Sequence, residues 1–310
     1  VQQHHVTPKP DFLILGAPKC GTTSVYHYLL QHPNVFLCPK ETHYFVCEDA
    51  GYTNVQTRSW DAYSDLFRGA AEGQIRGEVA VRYLYSRNAL NQIRERLPEC
   101  RLVVFLREPV SRTISQYLMR FRTGGSQASD GGVLPSDGDT RDFFEDLNHD
   151  IIDWSMYHQH LAAWYKAFPG QVRVFLLEQL EAAPDKTMAE LCDFVGLDSS
   201  CRIDSNVRYN VSTVKDFNPF LVRLKRVQLL RKIRTSRMLR AVARVAVPRA
   251  LRDRLIWRSE KSGAHISEKI SIPQDVLLRL RQHFETERPQ LQELTGLDFS
   301  EWDQKQPEDS

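Results

Sequence analysis

The feature that most constrains this chain is the passage from a short apolar run, Phe12 to Leu15, into Gly16-Ala17-Pro18-Lys19-Cys20-Gly21-Thr22-Thr23. Ser24 follows, then a helical pattern through Tyr26, Leu29 and Leu30, so the spacing predicts a strand, a glycine-bearing loop and a helix. Backbone amides of such a loop, with the N-terminus of the helix behind it, form an anion site. The frame is GxxxxG followed by two hydroxyl residues. In nucleotide-kinase loops a Lys follows the second Gly, and the next Ser or Thr holds magnesium. Here Thr22 takes the place of that Lys, and Lys19 sits inside the loop.

A second apolar run, Leu102 to Leu106, ends in Arg107. An enzyme that holds magnesium for a nucleoside triphosphate wants an Asp at the end of such a strand. A cation there binds an anion directly and repels a metal. Two anion sites at the carboxyl ends of parallel strands suit a nucleotide with phosphates at both ends.

Strands and helices alternate along the chain. A helical pattern at Leu90, Ile93 and Leu97 leads into the strand 102–106. A helix near His158 to Phe168 precedes a strand from Val172 to Leu177, and a helix from about Pro184 to Val195 follows. This alternation predicts an α/β, P-loop-like three-layer sandwich, with a central parallel β-sheet flanked by helices. Residues Thr123 to Asp142 lack periodicity and read as a surface loop. A helix from roughly Gln274 to Leu294, a stop at Gly296 and then Trp302 close the chain.

APKCGTTS together with LREPVSRTISQY resembles the sulfotransferase superfamily that uses 3′-phosphoadenosine 5′-phosphosulfate (PAPS), closest to bacterial and heparan sulfate-type carbohydrate enzymes. VFLLEQLEAAPDKTMAELCDFVGLD and RPQLQELTGLDFSEW resemble later segments of the same family. The resemblance implies that Lys19, Cys20, Gly21, Thr22, Thr23 and Ser24 hold the 5′-phosphosulfate. It implies that Arg107 and, eight residues on, Ser115 hold the 3′-phosphate. Lys261-Ser262-Gly263-Ala264-His265 resembles a loop that closes over the nucleotide, which adds Lys261 and Gly263. PAPS is then the co-substrate, no metal is required, and residues 11–310 form one domain after a linker at 1–10.

Pro39-Lys40-Glu41-Thr42-His43-Tyr44-Phe45 resembles the segment that carries the proposed base of heparan sulfate sulfotransferases. An acceptor hydroxyl must lose its proton as it attacks sulfur, and a positioned carboxylate can take it. Glu41 is the expected base; His43 shares or replaces that role, or orients the acceptor. Lys19 is the expected cation for charge developing on the leaving nucleotide. Thr42 stands where those enzymes often have Pro, a change expected to matter little. Gly77-Glu78-Val79-Ala80-Val81-Arg82-Tyr83 has Val79 where heparan enzymes have a Lys near the acceptor. Arg82 either replaces that cation or makes a structural salt bridge.

The expected function is O-sulfation by in-line displacement on a carbohydrate or glycolipid hydroxyl. A small metabolite or a carrier-bound polyketide hydroxyl is the alternative acceptor. A P-loop kinase and a non-catalytic polyanion-binding protein are the alternatives of other classes.

Composition adds one constraint on partners. The 310-residue chain carries +2 overall, yet residues 223–258 hold 13 Lys and Arg against one acid, so the rest of the chain is at about −10. Apolar residues recur there at helical spacing (Leu224, Val227, Leu230, Ile233), which predicts a basic helical insertion over about 218–258 whose charged face is either solvated or a docking surface for an acidic partner such as a polyanionic glycan, an anionic membrane surface or an acidic carrier protein. Nucleic acid ranks last among such partners.

No apolar run is long enough to cross a membrane. The chain begins at Val1, as expected of one trimmed at its N-terminus. A bacterial cytoplasmic location is favoured, with the Golgi lumen as the alternative. The six cysteines match no zinc pattern and read mostly as free or buried thiols, with Cys192 and Cys201 the pair that an oxidising compartment can bridge.

Overall fold

The structure, a computed structural model, describes residues 7–46, 59–123, 144, 150–205 and 272–304. In chain order the strands are β1 (Phe12–Gly16), β2 (Val35–Leu37), β3 (Ile75–Val79), β4 (Arg101–Leu106) and β5 (Val172–Leu176). The helices are α1 (Thr22–Leu29), α2 (Trp60–Ser64), α3 (Arg87–Arg96), α4 (Pro109–Thr123), α5 (Asp150–Asp153), α6 (Tyr157–Ala167), α7 (Leu177–Ala182), α8 (Pro184–Val195), α9 (Gln274–His283), α10 (Glu287–Thr295) and α11 (Glu301–Gln304).

The five strands form one parallel sheet in the order β2-β3-β1-β4-β5. This is the expected three-layer α/β sandwich. Every residue of β1 is buried, as is β4 from Leu102 onward. Continuous apolar runs of this kind are what a strand covered on both faces requires.

Two strands escaped the sequence reading. The β2 strand has only three residues, and β3 reads Ile-Arg-Gly-Glu-Val. Gly77 sits opposite Phe12 in the β1–β3 register, and a Cβ there would fall 2.2 Å from the Phe12 ring. The large ring on one strand is accommodated by the missing side chain on the next, at the cost of a recognisable strand pattern.

β1 is central. The chain leaves it towards β2 on one side, whereas it leaves β4 towards β5 on the other. The carboxyl ends of β1 and β4 therefore flank the point where the winding reverses, the place where open α/β sheets bind ligands. A register shift between Ile14 and Gly16 bends β1 as it enters its loop, and Ala17 N donates to Phe105 O at 2.8 Å.

The expected closing helix is two helices, α9 and α10. Pro289 is the third residue of α10 and cannot donate a backbone hydrogen bond, so the chain restarts its helix just ahead of it. α10 ends at Gly296 with φ 69°, the expected left-handed stop. Strand β5 is one residue shorter than expected, because Leu177 already opens α7.

The contacts divide the chain into two compact units. One comprises 1–116, 147–210 and 278–310, and contains the whole sheet; the other comprises 117–146 and 211–277. Among the described residues no helix is long and apolar enough to cross a membrane.

Candidate active site

The loop after β1 is built around two residues with positive φ, Lys19 at 72° and Gly21 at 78°. Lys19 and His43 are the two non-glycine residues among those described that adopt this costly conformation, and both were read as site residues. Gly21 is the N-cap of α1 and makes no side-chain hydrogen bond to the first turn of the helix. Thr22 and Ser24 are buried there, and Thr23 is half-buried. A loop of this kind leading into a helix N-terminus is electrostatically suited to an anion.

The Cys20 side chain is fully buried. Burial pushes its thiol up to about 12 against the pull of Arg112 and Arg107. Its Sγ lies 3.9 Å from the Tyr157 hydroxyl, which donates to the Arg107 carbonyl at 2.8 Å. Tyr157 thus spans from the loop after β1 to the residue after β4. Sequence spacing gave no sign of this link across 137 residues.

Arg107 follows β4 with its Nε buried and without a hydrogen-bond partner among the described residues. Glu108 then closes the N-terminus of α4, accepting from Val110 N at 2.9 Å and Ser111 N at 2.7 Å. With those amides satisfied, any anion at this end falls to side chains. Ser115 is buried about two turns along the same helix. Ser111 Oγ, Arg112 Nη1 and Gln116 Oε1 are also buried without hydrogen-bond partners among the described residues. Buried polar atoms are nearly always paired, so each of these atoms is suited to a polar partner. Arg112 is fully buried; a charged residue in an amphipathic segment gave no sequence signal of that.

The acid loop lies beside the β1 loop. Lys40 Nζ donates to Thr23 Oγ1 at 2.7 Å and stands 3.8 Å from Glu41 Oε1. His43 Nε2 is 3.6 Å from Glu41 Oε2. The His43 imidazole is held below its ordinary value by burial, with Arg82 adding to this and Glu41 opposing it.

The segment is anchored by Glu78, which is fully buried. Its carboxylate accepts from Thr42 Oγ1 at 2.5 Å, Thr42 N at 3.4 Å, Tyr63 OH at 2.7 Å and Tyr83 OH at 3.0 Å. Thr42 was expected to matter little, and the structure corrects this: both of its donors hold the segment to β3. Val79 is buried, whereas Arg82 is half-buried, with its guanidinium 5.3 Å from the Trp154 ring centroid. The charge of Arg82 reaches His43.

Lys261, Gly263 and the basic stretch 223–258 lie outside the described residues. Cys192 and Cys201 are free thiols.

The fold thus brings together a parallel α/β sheet, a loop after β1 built on positive-φ Lys19 and Gly21, an arginine after β4, and a carboxylate, Glu41, joined to α1 through Lys40 and Thr23. Residues 9–220 match the family described as "Sulfotransferase domain", and the chain belongs to that family, within the sulfotransferase superfamily. Heparan sulfate glucosamine 3-O-sulfotransferase 3A1 of Mus musculus is 31% identical over 196 residues, covering 61% of this chain and 46% of that protein. Heparan sulfate glucosamine 3-O-sulfotransferase 6 of Homo sapiens is also 31% identical over 196 residues, covering 61% and 52%. The chain thus spans about half the length of these curated relatives. A crystal structure of a sulfotransferase from Alicyclobacillus acidocaldarius shares the fold, with TM-score 0.64, 20% identity, and coverage of 95% of this chain and 99% of that one.

Proposed function

We propose that this chain transfers a sulfuryl group from PAPS to a carbohydrate hydroxyl. The observation that carries the reading is the Thr23–Lys40–Glu41 connection, which sets a carboxylate beside the helix N-terminus that follows β1. In this reading Lys19, Gly21, Thr22, Thr23 and Ser24 hold the 5′ end, while Arg107 and Ser115 hold the 3′-phosphate. The buried Nε of Arg107, without a partner among the described residues, is chemically suited to a phosphate oxygen.

PAPS supplies the sulfuryl group: its S–O bond to the 5′-phosphate breaks, with the electron pair staying on the phosphate oxygen, as the new bond to the acceptor oxygen forms. Glu41 takes the acceptor proton, and Lys19 with the α1 amides stabilises the charge that develops on the departing oxygen. His43 orients Glu41 or the acceptor.

The curated relatives named above support a glycan acceptor. Val79, in the position of a Lys in heparan enzymes, favours an acceptor with less negative charge than heparan sulfate, or one met by Arg82.

Calorimetric titration with 3′-phosphoadenosine 5′-phosphate (PAP), without magnesium, tests the donor site. The expected result is tight binding to the wild type that falls at least tenfold in Arg107→Ala, as for loss of a charge-assisted hydrogen bond. ATP–magnesium binding in place of PAP overturns the reading.

A further inference from the structure

Lys40 belongs to none of the roles assigned above, yet its ammonium is the group that joins the donor loop to the acid. It is mostly shielded from water, and burial holds its pKa below the ordinary lysine value against the pull of Glu41. Around it stand Thr23 and His27 on α1, and Glu41 on its own segment with His43 behind it.

The direction of the Lys40–Thr23 hydrogen bond is fixed by chemistry. An ammonium has three donors and no acceptor, so Thr23 Oγ1 accepts. A threonine hydroxyl has one proton and two lone pairs, so the Thr23 proton remains to be donated elsewhere. Thr23 is the second residue of α1, at the uncapped N-terminal turn. Accepting from a cation makes the hydroxyl a stronger donor, because linked hydrogen bonds polarise one another in a low-dielectric setting.

We infer that Lys40 is a positioning residue for sulfuryl recognition: it fixes Thr23 Oγ1 as an acceptor, so that the Thr23 proton is donated to a sulfuryl oxygen of the donor beside Glu41. The inference rests on the sulfotransferase reading of the site and adds a residue to it. Through this pair the site distinguishes the loaded donor from its spent form. PAPS has sulfuryl oxygens to accept the Thr23 proton, whereas PAP ends at the 5′-phosphate.

The test compares affinities for PAPS and PAP in the wild type, Lys40→Met, Thr23→Val and the double variant, by calorimetry at early times. Each single variant is expected to lose at least fivefold more affinity for PAPS than for PAP, of the order a hydrogen bond to a charged group provides. The double variant is expected to be no worse than the more affected single one, since both remove the same interaction. Lys40→Arg, which keeps a cationic donor, is expected to recover part of the preference.

Equal losses for PAPS and PAP, no loss in either single variant, or losses that multiply in the double variant overturn the inference. Thr23→Val leaves the half-buried lysine in place and reads the same preference should Lys40→Met fold poorly. Failure of the wild type to bind PAP at all instead overturns the sulfotransferase reading, which separates the two outcomes.

Discussion

The Thr42 hydroxyl donates to the buried Glu78 carboxylate across 2.5 Å, and this pair ties the segment carrying Glu41 to the end of β3. Burial raises the pKa of Glu78, and the bonds from Thr42, Tyr63 and Tyr83 oppose that rise. A buried carboxylate deprived of donors is costly, so each of them counts.

Thr42→Val preserves shape and removes the hydroxyl donor. Unfolding free energy is expected to fall by about 1–3 kcal/mol, the cost of an unsatisfied buried polar group. Thr42→Pro removes the backbone donor as well and is expected to cost more, even though Pro is the residue related enzymes often carry there. In both variants PAP affinity is expected to hold while turnover falls, because the damage lies on the Glu41 side. Urea denaturation and calorimetry with PAP check the two halves. An unchanged denaturation midpoint in both variants would refute the anchoring role.

Gly21→Ala tests the loop geometry. A left-handed conformation costs an L-residue about 1–2 kcal/mol, and the new Cβ would stand 2.7 Å from Leu177 Cδ1. Stability is expected to fall by at least the conformational amount, and PAP affinity with it. Adding Leu177→Ala removes the clash but not the φ cost, so it is expected to restore less than the full loss. Full recovery in the double variant would leave the clash as the whole effect.

His43 gives a pH signature. Its folded-state pKa lies below the ordinary 6.5, through burial first and Arg82 in addition. The unfolded chain therefore takes up this proton before the folded chain does as the pH falls. The His43 contribution to stability is intact above about 6.5 and is lost as the pH drops through the window below it. Removing the opposing charge in Glu41→Gln is expected to move the His43 pKa further down, whereas Arg82→Gln moves it up. Histidine resonances followed by NMR titration report both directions, and shifts of the same sign would contradict the arrangement.

The parts legible in sequence were those with a local signature. Phe12 to Gly21 and Leu102 to Arg107 combine an apolar run with a residue change at its end, so both site loops could be placed. β3 could not be, because Gly77 yields to the Phe12 ring and Glu78 carries a charge that reads as exposed; only the fold brings Tyr63, Tyr83 and Thr42 around it. Tyr157 and Lys40 were missed for the same reason: their partners are set by packing between elements rather than by spacing within one.

Arg112 supplies the last test, because the hydroxyl protons that link it to α4 can be assigned. Its Nε donates to Ser155 Oγ at 2.6 Å, and its Nη2 donates to the Ile151 carbonyl. Ser155 and Thr113 hydroxyls are 2.7 Å apart, and Thr113 donates to the Pro109 carbonyl at 2.8 Å. Since the Thr113 proton is engaged with Pro109, Ser155 donates to Thr113 and accepts from Arg112, giving one chain from guanidinium to the first turn of α4. Ser155→Ala strands a fully buried cationic donor and is expected to cost about 1.5–3 kcal/mol. Thr113→Val leaves the Ser155–Arg112 bond in place and is expected to cost less, about 0.5–1.5 kcal/mol. The double variant is expected to lose less than the two losses added, because both cut the same chain. Urea denaturation of the three variants measures this. Simple additivity would mean the hydroxyls act independently, and Arg112 would then be held by the Ile151 carbonyl and its packing instead.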